Sequence, residues 1–120
     1  MLEVEWHKCT KGNWYNIYKI DANHRNIKGF IGQYIVWSGS TEAERTILIV
    51  GYGDIKKSIL QFRKDIAIKA FEHLGVFITW CDIPNSLKKN IHNYLVKTLN
   101  PKMTTNTEGG KEEPIELPVW

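Results

Sequence analysis

Scarcities narrow this 120-residue chain first: two cysteines, four prolines and no long apolar run. Cys9 and Cys81 stand far apart and form no Cys-x-x-Cys unit, which argues against a disulfide scaffold and a structural zinc site. No stretch approaches the roughly 18 apolar residues of a membrane span. The opening residues Met1 to Trp6 carry Glu3 and Glu5 and lack an apolar h-region. A secretory leader is therefore not expected, and the expected location is the cytoplasm, with reduced thiols and no membrane partner. A large excess of one charge is also missing. The formal net charge of +3 is mildly basic and falls short of a dedicated nucleic-acid coat. What remains is an ordinary globular composition, 42% hydrophobic and 24% charged, at a length that suits one domain over residues 1–120.

Apolar periodicity then divides the chain. Alternation in Trp14–Ile20 predicts a first strand, with Trp14, Asn16, Tyr18 and Ile20 on one face. The Asn-rich segment Asp21–Gly29 reads as a loop. Gly32–Ser38 and Arg45–Val50 read as second and third strands, and the short Gly39–Glu44 connection predicts an antiparallel hairpin. Gly51-Tyr52-Gly53 reads as a tight turn or an anion-binding nest ahead of a helix that Asp54 caps. In that helix Ile55, Ile59, Phe62 and Ile66 form one apolar stripe. A second helical piece over Ala67–Leu74 is expected to stop at Gly75.

Val76–Asp82 predicts a fourth strand. Pro84 suits a helix start and Ser86 a cap, ahead of the stripe Leu87, Ile91, Leu95 and Leu99, which ends before Pro101. The tail 102–120 is acidic through Glu108, Glu112, Glu113 and Glu116, as a disordered segment would be. Its alternating Ile115, Leu117, Val119 and Trp120 point to docking on the body. The fold class read from this order is an α/β domain of the α+β type. It has a small, mainly antiparallel sheet of three to four strands flanked by helices.

The stretch IGQYIVWSG followed by ILIVGYGDIKKSI resembles the GIY-YIG nuclease superfamily, with Gly32-Gln33-Tyr34 as its first motif and Ile49-Val50-Gly51 as its second. NIHNYLVKTLNP is similar to the family's later helix, with Pro101 at the expected distance, so the resemblance runs from about Gly32 to Thr104. It implies phosphodiester cleavage by a small residue set, carried over position by position. Tyr34 keeps the first-motif tyrosine. The tyrosine of the second motif falls on Ile49, the helix arginine on Ser58, the metal-holding glutamate on His92, and the later asparagine on Thr104, with Asn106 nearby.

Such hydrolysis needs its developing negative charge neutralised, usually by Mg²⁺ and a guanidinium. Mg²⁺ prefers carboxylate oxygen, whereas imidazole suits zinc or nickel. Arg63 is no substitute at the Ser58 place, lying about 140° away around a helix. The resemblance thus implies a nuclease-like frame with most of its cutting groups replaced: a non-catalytic domain that binds DNA or RNA and needs no cofactor.

Two further readings stay open. One is a divergent endonuclease that uses Tyr34 and His92 with an unusual divalent metal. The other is a protein-interaction domain. Tyr34 also reads as a half-buried strand aromatic, and His92 as a histidine bordering an apolar stripe. The candidate phosphate contacts are Lys56, Lys57, Arg63, Lys64, Lys88 and Lys89, which read equally as solvated helix faces. The five tryptophans are numerous enough to line a cleft or stack on bases; Trp37 and Trp80, in strand runs, are expected in the core, and Trp6 and Trp120, near the two ends of the sequence, are expected to close the domain or stand exposed.

Overall fold

Strand β2 (Ile31–Ser38) is apolar on both faces because it lies inside a sheet and is covered on both sides. A computed structural model describes residues 1–9, 12–104, 106–107 and 109–120. It places four strands in the order β1-β4-β2-β3, with β1 at Tyr15–Asn16, β3 at Thr46–Asp54 and β4 at Val76–Cys81. Every strand pairing in this sheet is antiparallel, and β2–β3 is the expected hairpin. A bulge at Leu48 shifts the register between Val36 and Trp37.

Helix α1 (Ile55–Arg63) follows β3 directly. Asp54 caps it by accepting the Lys57 N–H at 3.0 Å. Its Ile55, Ile59 and Phe62 pack against Val36, Leu48, Ile78 and Trp80 on one face of the sheet. Helix α3 (Lys88–Leu99) covers the other face, where Ile91, Leu95 and Val96 meet Ile35, Trp37, Val50 and Ile83. Asn100, in the left-handed region at φ 49°, ends α3 just before Pro101. The two apolar faces of β2 therefore lie in two separate apolar layers, each closed by one helix.

Four local expectations are corrected. Only Tyr15 and Asn16 of the Trp14–Ile20 run form a strand. The Asn16 side chain accepts the Tyr18 N–H at 2.9 Å and its carbonyl accepts from Lys19 and Ile20, so the chain turns away. Gly51 and Gly53 do not break β3, and there is no nest. The strand continues to Asp54, and Gly51 sits opposite Tyr34, whose ring occupies the place a side chain would take. The apolar stripe stops at Phe62. Asp65 caps a new short helix, α2 (Ile66–Lys69), through the Ala67 and Ile68 N–H groups, which leaves Ile66 86% exposed. The remainder of the expected second piece is a single 3-10 turn at Glu72–Leu74. Finally, Ser86 caps nothing. Pro84 precedes a 3-10 turn at Asn85–Leu87, and α3 begins after it.

The tail lies along α3 and the opening segment. Leu2 and Ile115 form a parallel bridge, the Asn93 amide donates to Gly109 O at 3.0 Å, and the Trp6 indole donates to Glu116 O at 2.8 Å. Glu108, counted in the acidic tail, lies outside the described residues. Ahead of the tail, Lys102 and Met103 donate backbone N–H groups to Ile47 and Leu48, and the Val50 N–H donates to Thr104 Oγ1 at 3.1 Å. This segment therefore runs alongside the outer edge of β3. No helix among the described residues is long and apolar enough to cross a membrane.

Candidate functional site

Antiparallel register brings two helix starts to one end of the sheet. Ile31 pairs with Asp54 and Gln33 with Cys81, so β3 and β4 both finish beside the beginning of β2. Both α1 and α3 therefore start at that end, on opposite faces. Their first turns carry Lys56 and Lys57, and Lys88 and Lys89. The partial positive charge of each helix N-terminus adds to these ammonium groups. Asp54 and Asp82 lie at the same end, and the Asp54 carboxylate is engaged as the α1 cap. Lys57 and Lys89 are exposed, and Lys56 donates to Asn23 Oδ1 at 2.7 Å.

On the α3 side this end holds a cleft of about 210 Å³ lined by Tyr52, Lys88, Lys89 and His92. Lys88 Nζ stands 4.6 Å from the centre of the Tyr52 ring. His92 lies one helical turn beyond Lys88, and its Nε2 is 3.0 Å from the Asn106 carbonyl oxygen of the tail. Tyr52 was hidden in the sequence by its two glycine neighbours, which resemble turn residues. Its strand position and its place on the α3 face follow only from the register.

The other candidates fall elsewhere. Tyr34 points to the α1 face, where its ring meets Phe62 edge-on at 5.7 Å and its hydroxyl shares a hydrogen bond with Ser58. Burial pushes the Tyr34 phenol above its ordinary range, with the Ser58 bond pulling the other way, so the group stays protonated near neutral pH. Ile49 packs in the same layer. Tyr34 and Ser58 thus meet on the α1 face, but His92 is on the opposite face of the sheet. No described cavity is lined by both Tyr34 and His92. Thr104 is occupied in accepting the Val50 N–H. Among the described residues no group of three or more His, Cys, Asp and Glu side chains is placed to hold a metal ion. Cys81, buried under α3, has its thiol pushed up to about 12 by burial and then by Asp82, which makes it a poor nucleophile.

Arg63 and Lys64 sit at the far end of α1, about 10 Å along the helix from Lys56 and Lys57. Lys64 is exposed. Arg63 instead donates from its guanidinium to the carbonyl oxygens of Ile17 and Ile20, clamping the turn that follows β1. Arg63→Gln is therefore expected to cost about 2 kcal/mol of stability, from two charge-assisted bonds to a part-buried turn. Urea unfolding measures this. The salt dependence of any nucleic-acid binding should stay unchanged in the same variant.

Comparison with protein-family models, curated proteins and solved structures gives no match. The functional reading therefore rests on the residues themselves.

Proposed function

We propose that this chain is a GIY-YIG-like domain whose hydrolytic positions have been replaced, and that it binds DNA or RNA through phosphate contacts without cutting it. The observation that carries the reading is the gathering of Lys56, Lys57, Lys88 and Lys89 around two helix starts at one end of the sheet, beside the Tyr52–His92 cleft. Ammonium groups spaced across such an end neutralise backbone phosphates and release condensed counterions, whatever the base sequence. The element order of the resemblance supports the frame: a hairpin carrying both motif segments, a capped helix, a strand, and a helix ending before a proline. The separation of Tyr34 from His92 by the sheet disfavours the divergent-nuclease reading, which needs both at one phosphate.

Fluorescence anisotropy of labelled duplex DNA and RNA across a salt series tests the proposal. Affinity should fall steeply with salt. The double variant Lys88→Gln/Lys89→Gln should make the log–log slope shallower by about two, one per lost phosphate contact. Tyr34→Phe should leave the curve unchanged. Absence of binding at low salt, or a slope indifferent to the two lysines, overturns the reading in favour of a protein-interaction domain. Metal-dependent nicking of a plasmid that His92→Ala abolishes would restore the nuclease.

A further inference from the structure

At the opposite end of the sheet, beyond Ser38, lies a second cavity, of about 310 Å³, built from aromatic rings. Trp37, almost fully buried, forms its floor. Trp14 stands at 86° to Trp37 with ring centres 5.3 Å apart, and Trp120 at 84° and 5.7 Å. Phe77 completes the apolar lining at 6.0 Å from Trp37. Arg45 also lines the cavity, with its guanidinium carbon 4.8 Å from the centre of the Trp120 ring. Among the described residues the Arg45 side chain has neither a carboxylate partner nor an acceptor for its buried Nε–H. Ser40 and Asn13 supply small polar groups at the rim.

These features select a ligand class. Two indole walls perpendicular to a third ring make a slot for a flat ring, and stacking on aromatic side chains tolerates any base. The volume lies at the lower end of small-molecule sites, which suits one planar unit. Arg45 repels a cation in the slot and is left wanting an anion. A half-buried guanidinium without one carries an unrecovered desolvation cost, and its planar fork fits a phosphate. We infer that this cleft binds one nucleoside monophosphate unit, its base held by Trp14, Trp37 and Trp120 and its phosphate by Arg45. The inference goes beyond the lysine-lined end of the sheet. It rests on the proposed nucleic-acid binding only in allowing the unit to be the end of a single strand as well as a free nucleotide.

Intrinsic tryptophan fluorescence of the full chain, titrated with adenosine monophosphate, adenosine and ribose 5-phosphate, tests it. The monophosphate should quench saturably and bind more tightly than either fragment. Arg45→Gln should weaken it about tenfold while leaving the adenosine titration unchanged, as expected for one lost charge-assisted contact. Ser40→Trp, at an exposed rim position, should block the cleft and gives the same answer should the arginine variant not fold. A 5′-phosphorylated single strand that binds tighter than the monophosphate makes the strand end the ligand, and the reverse order makes it the free nucleotide. Equal binding of monophosphate and adenosine, or of wild type and both variants, overturns the inference. Lys88→Gln/Lys89→Gln should leave this titration unmoved, so failure of the lysine-lined end and failure of this cleft are read separately.

Discussion

Gly32→Ala is expected to lower stability by at least about 3 kcal/mol, at or beyond the upper range for an overpacked interior. A Cβ at Gly32 would stand 2.5 Å from the Cys81 carbonyl oxygen and 2.7 Å from the Phe30 ring. The nearest atom belongs to the backbone of β4, so no side-chain rotation relieves the contact. The pairing of β2 with β4 must widen, and with it the hydrogen bonds that hold the centre of the sheet. The melting temperature should fall by roughly 10 °C or more, and the urea midpoint should shift with little change in slope. Gly53→Ala supplies the contrast. A Cβ there meets nothing within 4 Å and its backbone does not need positive φ, so stability should hold or rise by under about 1 kcal/mol. Equal losses for the two alanines would refute the steric account.

Trp80→Ala carries the other large effect, about 3–5 kcal/mol for a fully buried indole. The ring is stacked with His7 at 5.3 Å and with Tyr15 at 5.2 Å, and it meets Phe30 edge-on. One side chain thus joins the opening segment, β1 and the loop before β2. Its loss leaves a cavity where these three pieces meet. Hydrogen exchange at the His7 amide, bonded to the Trp80 carbonyl at 3.0 Å, should accelerate in step with the lost stability. Trp80→Phe should cost much less, because among the described residues the indole N–H has no acceptor to lose and a ring still fills the space. A domain of this size has about 5–15 kcal/mol in all, so either large variant removes a substantial share.

The parts of the fold legible in the sequence were those set by neighbours along the chain. The strand runs Gly32–Ser38 and Arg45–Val50 with their short Gly39–Glu44 connection gave the hairpin, and Asp54 gave the start of α1. Errors arose where the deciding atom lies far away or where a polar side chain overrides an apolar rhythm. Gly51 looks like a turn residue but is small because Tyr34 fills its space from the neighbouring strand. Ile66 continues the helical spacing, yet Asp65 had the signature of a new cap and took precedence. Asn16 likewise carried its turn signal inside a strand-like pattern.

The candidate site divides in the same way. Tyr34 and Ser58 meet because β2 and α1 are joined through the β3 hairpin, whereas the face on which His92 lies depends on how α3 crosses the sheet. Arg63 looked like a phosphate contact because its charge is visible in sequence and its bonds to Ile17 and Ile20 are not. The cleft of Trp14, Trp37, Phe77 and Trp120 draws on four distant parts of the chain, so no local pattern announces it.

The segment from Lys102 to Thr104, hydrogen-bonded along β3, also bears on how the molecule behaves in a crowd of its own copies. A bare strand margin is a template for stacking one sheet on the next, the first step toward cross-β fibres. On the β3 side that template is occupied from within the chain at Ile47, Leu48 and Val50. On the far side β1 offers only Tyr15 and Asn16 before the backbone turns away. Among the described residues neither margin presents the long flat row of free N–H and C=O groups on which such stacking grows.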